Sequence, residues 1–193
     1  QIGKTVEEYV DDMVIKTKHV ETLVNDLRLT FDNLRAYDIK INPEKCVFGV
    51  SAGKLLGFIV SGRGIEANPA KIRALSQLDI PKDLKQIQKL TGCVAALSRF
   101  ISRLGEKALP LYRLLRRTEH FEWTDAATAE LEEIKAILAT NPVLATPNLG
   151  EPMLLYIAAT HQVASAVLIV ERETEGHKFP LQKPVYYVST ILT

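Results

Sequence analysis

Two apolar stripes with helical spacing, separated by short strand-like runs, limit the fold classes open to this chain. From about His19 to Tyr37 apolar residues recur at steps of three and four, and the opposite face is polar, which predicts an amphipathic helix. After Pro81, a second stripe of the same kind runs from Leu84 to Ile101. Because runs with strand character lie before, between and after these stripes, the sequence predicts an α+β fold.

Turn residues divide the remaining apolar runs into three groups of antiparallel strands. The first group is a hairpin around Asp11 and Asp12, the second follows Asn42-Pro43, and the third follows Pro152. Between the groups, proline and capping residues indicate further helices. The predicted strands are Val6–Val10, Met13–Lys16, Cys46–Val50, Lys54–Val60, Met153–Ala159, Ala164–Glu171 and Pro184–Ser189, and the further helices are Ala70–Leu78, Leu109–Arg117 and Ala126–Thr140.

Charge is distributed unevenly along a chain whose net charge is only +1. The span from Pro69 to His120 holds 11 Lys or Arg and 4 Asp or Glu, whereas acids dominate the stretch after it. In the second stripe, Lys85 and Lys89 fall on the polar side, opposite the apolar residues. Such a basic helical face suits an anionic partner, although a solvated helix surface would show the same charges.

Composition excludes several other classes of protein. Of the 193 residues 47% are hydrophobic, typical of a globular protein with a core, and no apolar run approaches the roughly 20 residues of a membrane-spanning helix. We therefore expect no membrane partner. Cys46 and Cys93 lie far apart without neighbours at metal-ligand spacing, which argues against a zinc site and fits a reducing compartment. The N-terminal residues do not resemble a secretory leader.

The pair Asp11-Asp12 is the candidate for chemistry. Phosphoryl-transfer enzymes hold two metal ions with carboxylates and substrate phosphate, and a hairpin tip lets two adjacent acids project together. Magnesium suits such a site because it prefers few protein carboxylates plus phosphate and water. Two acids alone rarely suffice, so a third carboxylate from a neighbouring strand is expected. A polar turn facing water remains the alternative.

A family resemblance decides between these alternatives. The runs "YVDDMVIKTK" and "INPEKCVFGVSAGKLLGFIVSGRGIEANPAKI" resemble the reverse transcriptase of gypsy-type LTR retrotransposons, especially those of plants. "LTGCVAALSRFI" and "FEWTDAATAELEEIKAILATNPVLATPNLGEPMLLYIAATHQVASAVL" resemble the next parts of the same polyprotein. The similarity covers nearly the whole chain in the order of the family.

The resemblance implies a role for each matching position. Asp11 would be the main metal ligand and Asp12 its neighbour, with Mg²⁺ as cofactor in the complete polymerase. Leu56 and Gly57 match the strand that holds the primer end. The thumb would track an RNA/DNA template-primer duplex, with deoxynucleotide triphosphates as substrate. Its expected phosphate contacts are Lys85, Lys89 and Arg99.

The resemblance also implies a domain order and two defects. Residues 1–66 would be the C-terminal part of the palm, residues 67–120 the basic helical thumb, and residues 121–193 a connection followed by a truncated, three-stranded RNase H-like sheet. The third polymerase carboxylate of the family is expected upstream of Gln1. Ala158 occupies the position where the nuclease pattern has an Asp, so we expect no nuclease chemistry there.

Two functions from different classes remain open. The chain is either a segment of an RNA-directed DNA polymerase, inactive alone and active within a longer chain, or a non-catalytic nucleic-acid-binding or interaction fragment of a decayed or host-co-opted retroelement. In either case we expect a cytoplasmic particle or the nucleus, not secretion. The sequence gives no indication of oligomeric state.

Overall fold

The computed structural model describes residues 3, 5–17, 19–116 and 121–192. Its helices and antiparallel sheets confirm the predicted α+β class. Contacts between Cα atoms divide the chain into two compact units, which we call the N-terminal unit (residues 1–56) and the C-terminal unit (residues 57–193). These units do not follow the predicted boundaries after residues 66 and 120, so the palm, thumb and connection assignments stay predictions.

The N-terminal unit consists of a hairpin, one long helix and a short strand. Strands β1 (Val6–Tyr9) and β2 (Asp12–Ile15) pair antiparallel, with Val6 opposite Ile15. A 3₁₀ turn (Val20–Thr22) precedes helix α1 (Leu23–Ala36), so the first turn of the predicted helix is 3₁₀. A second 3₁₀ turn (Pro43–Lys45) and strand β3 (Ala52–Leu55) follow.

The predicted strand over Cys46–Val50 is wrong. A side-chain cap starts the preceding 3₁₀ turn, because the Asn42 carboxamide oxygen accepts a hydrogen bond from the Glu44 backbone N–H at 3.0 Å. Among the described residues the segment after it has no strand partner, and the Phe48 ring lies against that of Phe31 with 6.3 Å between centroids. Apolar residues need a ladder partner to form a strand, and here Val47, Phe48 and Val50 each remain more than half exposed.

The C-terminal unit begins with a small antiparallel sheet of three strands, β4 (Phe58–Ser61), β5 (Gly64–Ala67) and β6 (Val143–Leu144). Strand β6 pairs with β5 and lies so close to its first residue that a Cβ on Gly64 would be 2.1 Å from the Leu144 carbonyl oxygen. Gly64 has a φ of 132°, which L side chains rarely adopt. A short strand from late in the sequence thus pairs with β5, a pairing that the sequence pattern did not predict.

Helices form the middle of the C-terminal unit, and several begin with a side-chain cap. The Asn68 carboxamide, the Asp83 carboxylate and the Thr124 hydroxyl accept hydrogen bonds from backbone N–H groups at 2.9, 2.8 and 3.2 Å. The predicted Leu109–Arg117 helix is shorter in the described residues and follows a four-residue helix that the prediction missed. The helices are α2 (Pro69–Ser76), α3 (Leu84–Ala95), α4 (Leu104–Lys107), α5 (Leu109–Leu115) and α6 (Asp125–Ala139), with a 3₁₀ turn over Ser98–Phe100.

Three strands close the C-terminal unit in the predicted order, β7 (Met153–Ala159), β8 (Val163–Arg172) and β9 (Leu181–Ile191), with β8 in the centre. Helix α4 packs against this sheet, because the Gly105 N–H donates a hydrogen bond to the Ser189 hydroxyl at 2.8 Å. The main core lies among the helices; its most buried large side chains are Phe100, Leu75, Ile87, Leu90, Leu97, Ile101, Leu111, Leu131, Ile134, Leu138 and Leu144. In the part of the chain that the structure describes, no helix is long and apolar enough to cross a membrane.

Candidate active-site hairpin and nucleic-acid interface

The acid pair lies at the tip of the β1–β2 hairpin, as predicted. Tyr9 pairs with Asp12 across the ladder, so Val10 and Asp11 form a two-residue turn and Asp12 is the first residue of β2. Both acids are exposed to solvent. Farther from the tip, Lys16 donates to the Glu7 carboxylate at 2.6 Å and links the two strands. The turn therefore presents two adjacent carboxylates to solvent on a paired backbone.

Val10 makes this turn unusual. Its φ is 52°, in the left-handed region that β-branched residues seldom occupy, and 78% of the residue is exposed. A backbone of this kind costs of the order of 1–3 kcal/mol, and such costs concentrate at functional sites. The turn thus combines an exposed apolar residue and a costly backbone with the two acids.

The donors at the tip fit a magnesium ion in part. Two carboxylates match the one or two that Mg²⁺ takes from a protein when phosphate oxygens and water complete its shell. Across residues 3, 5–17, 19–116 and 121–192 no group of three or more His, Cys, Asp or Glu side chains comes together at ligand distance. A third carboxylate at Asp11 and Asp12 would have to come from outside the described residues.

Leu56 and Gly57 form a turn where the prediction had a continuous strand. Both have positive φ values, 51° and 80°, which are incompatible with extended backbone, so strand β3 ends at Leu55 and β4 begins at Phe58. A Cβ on Gly57 would lie 3.0 Å from the Lys71 ammonium. The role of Leu56 and Gly57 at a primer end stays a prediction. These two residues would act from a turn and not from a strand.

The three predicted phosphate contacts differ in their surroundings. Lys85 and Lys89 are exposed on α3, on the face opposite its buried apolar residues. Arg99 is half-buried, and its guanidinium carbon lies 4.4 Å from the centroid of Phe58 and 5.6 Å from that of Tyr186. Among the described residues, Lys85 and Lys89 thus make no ion pair and lie on the surface, whereas Arg99 is held by aromatic rings.

The sequence prediction missed one cation beside these rings. The Lys71 ammonium lies 5.5 Å from the Phe58 centroid, so two cations contact one ring. Lys71 was counted in the basic span but was not chosen as a site residue. Its position depends on a contact between helix α2 and strand β4, which no sequence spacing reveals.

The nuclease-like position carries no acid. Ala158 lies in β7 opposite Ser165 of β8, and β7 contains no carboxylate. The nearest acid in sequence, Glu151, is occupied by Arg172, which donates to both of its oxygens at 2.8 Å. Hydrogen bonds from Arg172 and from the Asn148 backbone N–H lower the pKa of Glu151 to about 2. Glu151 therefore holds the loop before β7 through its ion pair with Arg172.

Comparison with known proteins supports the resemblance. Residues 1–60 match the model of the family described as reverse transcriptase (RNA-dependent DNA polymerase). The retrovirus-related Pol polyprotein from transposon opus of Drosophila melanogaster is 28% identical over 202 residues, an alignment that covers 99% of this chain and 20% of that protein. The transposon Tf2-3 polyprotein of Schizosaccharomyces pombe is 29% identical, with 94% of this chain and 13% of that protein covered.

Solved structures show the same fold. Foamy viral protease-reverse transcriptase in complex with double-stranded DNA matches with a TM-score of 0.81 at 23% identity, over 97% of this chain and 32% of that chain. The same viral protein in complex with an RNA/DNA hybrid matches with a TM-score of 0.78 at 21% identity, over 97% and 25%. At these identities the likeness concerns the fold alone.

Residues 1–60, which carry the hairpin, match the reverse transcriptase family, so this part of the chain resembles a reverse transcriptase fragment. More particularly, nearly all of the chain is similar to retrotransposon polyproteins. It spans about a fifth of the length of the first of these relatives, so it corresponds to one part of such a polyprotein. The prediction of a reverse transcriptase fragment from a retrotransposon polyprotein is confirmed.

Proposed function

We propose that this chain supplies the acid-bearing hairpin and the duplex-binding helices of an RNA-directed DNA polymerase that adds nucleotides by two-metal nucleotidyl transfer. The observation that carries the proposal is the exposed pair Asp11-Asp12 at the tip of an antiparallel hairpin, inside the segment that matches the reverse transcriptase family. Asp11 is the main metal ligand in this proposal, and Asp12 is its neighbour. Both act together with a third carboxylate from elsewhere in the polyprotein.

The chemistry at the tip follows from the charge of the two acids. Bound Mg²⁺ would neutralise the developing charge on the transferred phosphoryl group. The protein holds the acids on a short turn between paired strands, so Asp11 and Asp12 have little freedom to move apart. The reaction itself requires the complete site, and the 193-residue chain alone should not extend a primer.

The partners in this proposal are an RNA/DNA template-primer duplex and deoxynucleotide triphosphates. Free cations on the exposed face of α3, Lys85 and Lys89, support a sequence-independent contact with phosphates. The similar viral structures are complexes with double-stranded DNA and with an RNA/DNA hybrid, which fits the same partner class.

The RNase H-like sheet has a structural role in this proposal. Without a carboxylate in β7 its opening strand cannot ligate a hard cation that prefers oxygen. A second function, a non-catalytic nucleic-acid-binding fragment of a decayed or co-opted element, is favoured by the same loss at Ala158. Under that alternative the duplex contact would remain while polymerisation would be absent.

The parent element in this proposal is a gypsy-type LTR retrotransposon of a plant, acting in a cytoplasmic particle or in the nucleus. Motif order along the chain supports the element type. Two free cysteines, Cys46 and Cys93, fit a reducing compartment.

Primer extension separates the two functions. The full-length parent polymerase should extend a primer on an RNA template in Mg²⁺, and Asp11→Asn should lower the rate by about 10²–10³-fold or more, as loss of a charge-stabilising group does. Asp38→Asn, which changes an acid of the same unit outside the hairpin, is the control and should retain activity. A full-length parent that binds duplex yet extends nothing would favour the non-catalytic function. Extension by the 193-residue chain alone, abolished by Asp11→Asn, would contradict the requirement for a third carboxylate.

A further inference from the structure

Strand β7 is one edge of the three-stranded sheet that closes the C-terminal unit. Among the described residues it pairs with β8 on one side and has no strand on the other. The whole strand is exposed, and its large apolar and aromatic side chains are 41–71% exposed, namely Met153, Leu154, Leu155, Tyr156 and Ile157. An open edge of this kind presents unpaired backbone N–H and C=O groups, which can pair with another strand.

The two edges of this sheet differ in how they are protected. The opposite edge, β9, contains Lys183 and Pro184, and its pairing with β8 is irregular between Leu168 and Ile169. Charged residues, proline and bulges are features by which proteins keep open edges from pairing. Strand β7 contains neither a charged residue nor proline, and its register with β8 is unbroken. Of the two edges, the one at β7 is therefore open to a further strand.

The direction of the backbone groups of β7 follows from its hydrogen bonds to β8. Directly after the strand, the Thr160 N–H donates to the Val163 carbonyl oxygen at 2.8 Å, so the backbone groups of residue 160 point toward β8. In an antiparallel ladder this direction alternates from one residue to the next. The N–H and C=O groups of the odd-numbered residues of β7 therefore point away from β8 to the open side; these residues are Met153, Leu155, Ile157 and Ala159.

We propose that the open edge of β7 pairs antiparallel with β7 of a second copy of this chain, about a twofold axis at Tyr156, so that two sheets join into one. In this register Leu155 lies opposite Ile157 of the second copy, and Met153 lies opposite its Ala159. Each of these pairs occurs twice and exchanges two hydrogen bonds, so about eight hydrogen bonds join the copies. The pairing is independent of the proposed polymerase function.

The side chains of β7 fit this register. Large residues occupy the first part of the strand and alanines its end, so an antiparallel copy places Met153 opposite Ala159 and Leu154 opposite Ala158. Tyr156 meets its own copy at the axis, and because β7 carries no charge, no like charges oppose one another. Any shift of the register would leave residues at both ends of the strand unpaired. These matches belong to β7 itself, so a second copy provides them without any further sequence.

A lysine placed on each edge of the sheet tests which edge pairs. Ile157 of β7 and Val188 of β9 lie in one row on either side of Ala166, and they are 71% and 50% exposed. Sedimentation velocity of the 193-residue chain over a concentration series gives the dissociation constant of the dimer. Ile157→Lys should raise this constant by about tenfold or more, because it brings two like charges close to the twofold axis. Val188→Lys should change it by about twofold or less.

A disulfide at the axis tests the register. The backbone groups of Tyr156 point toward β8, so Tyr156 and its copy form a non-hydrogen-bonded pair with Cα atoms about 4.5 Å apart, within disulfide range. Tyr156→Cys should therefore give a covalent dimer on mild oxidation. Ile157→Cys is the control, because its copies lie diagonally at about 7–8 Å, too far for the bond. Gels without reductant are compared with the wild type, in which Cys46 and Cys93 are free.

The outcomes separate the edge of β7 from other surfaces. A wild type that is folded by circular dichroism and monomeric at every concentration would overturn the pairing. Equal effects of Ile157→Lys and Val188→Lys would overturn it in favour of contact through the sheet face. If Ile157→Lys unfolds the chain, Tyr156→Cys decides, and a covalent dimer from Ile157→Cys alone would overturn the register. In the parent polyprotein, absence of the Tyr156→Cys dimer would overturn the pairing there and assign the edge to another of its segments.

Discussion

The N-terminal and C-terminal units differ in how they are stabilised. Among the described residues, Val6 and Leu34 are the buried apolar side chains of the N-terminal unit, whereas the C-terminal unit buries a large cluster of leucine, isoleucine and phenylalanine. Burial of apolar area is the main source of stability in folded proteins. The N-terminal unit buries less of it, so a larger share of its stability comes from backbone hydrogen bonds and turns. The candidate catalytic acids thus lie on the unit with the smaller core, and the aromatic-supported cations lie on the larger one.

Matched leucines should show this difference most strongly. Leu138 of α6 is fully buried in the C-terminal unit, and Leu29 of α1 is 47% exposed in the N-terminal unit. Leu138→Ala should lower the free energy of unfolding by about 2–5 kcal/mol, because it removes buried methyl groups and leaves a cavity. Leu29→Ala should change it by about 0.5 kcal/mol or less. Denaturant unfolding followed by circular dichroism measures both, and equal losses would contradict the comparison.

Two helical glycines test packing inside the C-terminal unit. A Cβ on Gly105 of α4 would lie 2.6 Å from the Ser189 hydroxyl and 2.7 Å from a Val163 methyl, so Gly105→Ala forces α4 away from the sheet. We expect a loss of about 1–3 kcal/mol. Gly92 of α3 has open space around it, and Gly92→Ala should raise stability by about 0.5–1 kcal/mol through helix propensity. Thermal unfolding should show a lower melting temperature for Gly105→Ala and a higher one for Gly92→Ala than for the wild type. A Gly105→Ala variant as stable as the wild type would show that α4 is not tightly packed.

Sequence patterns predicted the elements that depend on local spacing. The bounds of β7 were predicted correctly and those of α6 within one residue, because Pro152 and the cap Thr124 mark where these two elements begin. The turn at Asp11 was predicted from its flanking apolar runs. Resemblance to a family, rather than spacing, supplied the roles of Asp11 and Asp12.

Features that depend on tertiary pairing were missed. Strand β6 has two residues, too few for any period, and it exists because β5 offers an edge. The break at Leu56 follows from positive φ values, which a run of apolar residues conceals. Strand β7 is apolar in sequence yet exposed along its whole length, and its Tyr156 is 49% exposed. The contact of Lys71 with Phe58 joins two elements, and no single segment contains its signal.

The hairpin tip tests the N-terminal unit by backbone conformation. Val10 has a φ of 52°, so Val10→Gly should stabilise the hairpin by about 1 kcal/mol by removing the cost of a left-handed β-branched residue. Val14→Gly, in the paired strand β2, should destabilise it by about 0.5–1 kcal/mol. Amide hydrogen exchange of β1 and β2 reports this local stability. Slower exchange for Val14→Gly than for Val10→Gly would contradict the role assigned to the turn.

The smallest effect concerns how the stability of the C-terminal unit decreases at acid pH. Hydrogen bonds from Arg172, and then from the Asn148 backbone N–H, lower the pKa of Glu151 from its ordinary 4.5 to about 2 in the folded chain. A group whose pKa is lower when folded stabilises the protein above its unfolded pKa. That contribution is therefore complete at neutral pH and is lost as the pH falls from about 4.5 through about 2.

Removal of either Glu151 or Arg172 should make the stability of the protein depend less on pH below about 5. Arg172→Met takes away the principal donor, and Glu151→Gln takes away the titrating group while it keeps an oxygen acceptor. Melting temperatures measured at pH 7, 5, 3 and 2 should fall less between pH 5 and pH 2 in both variants than in the wild type. At pH 2 the melting temperatures of the three proteins should nearly converge, because Glu151 is then about half protonated in the folded wild type and most of its stabilising contribution is lost. A wild-type profile unchanged by both substitutions would mean that this ion pair does not set the acid stability of the C-terminal unit, and that other carboxylates of the chain do.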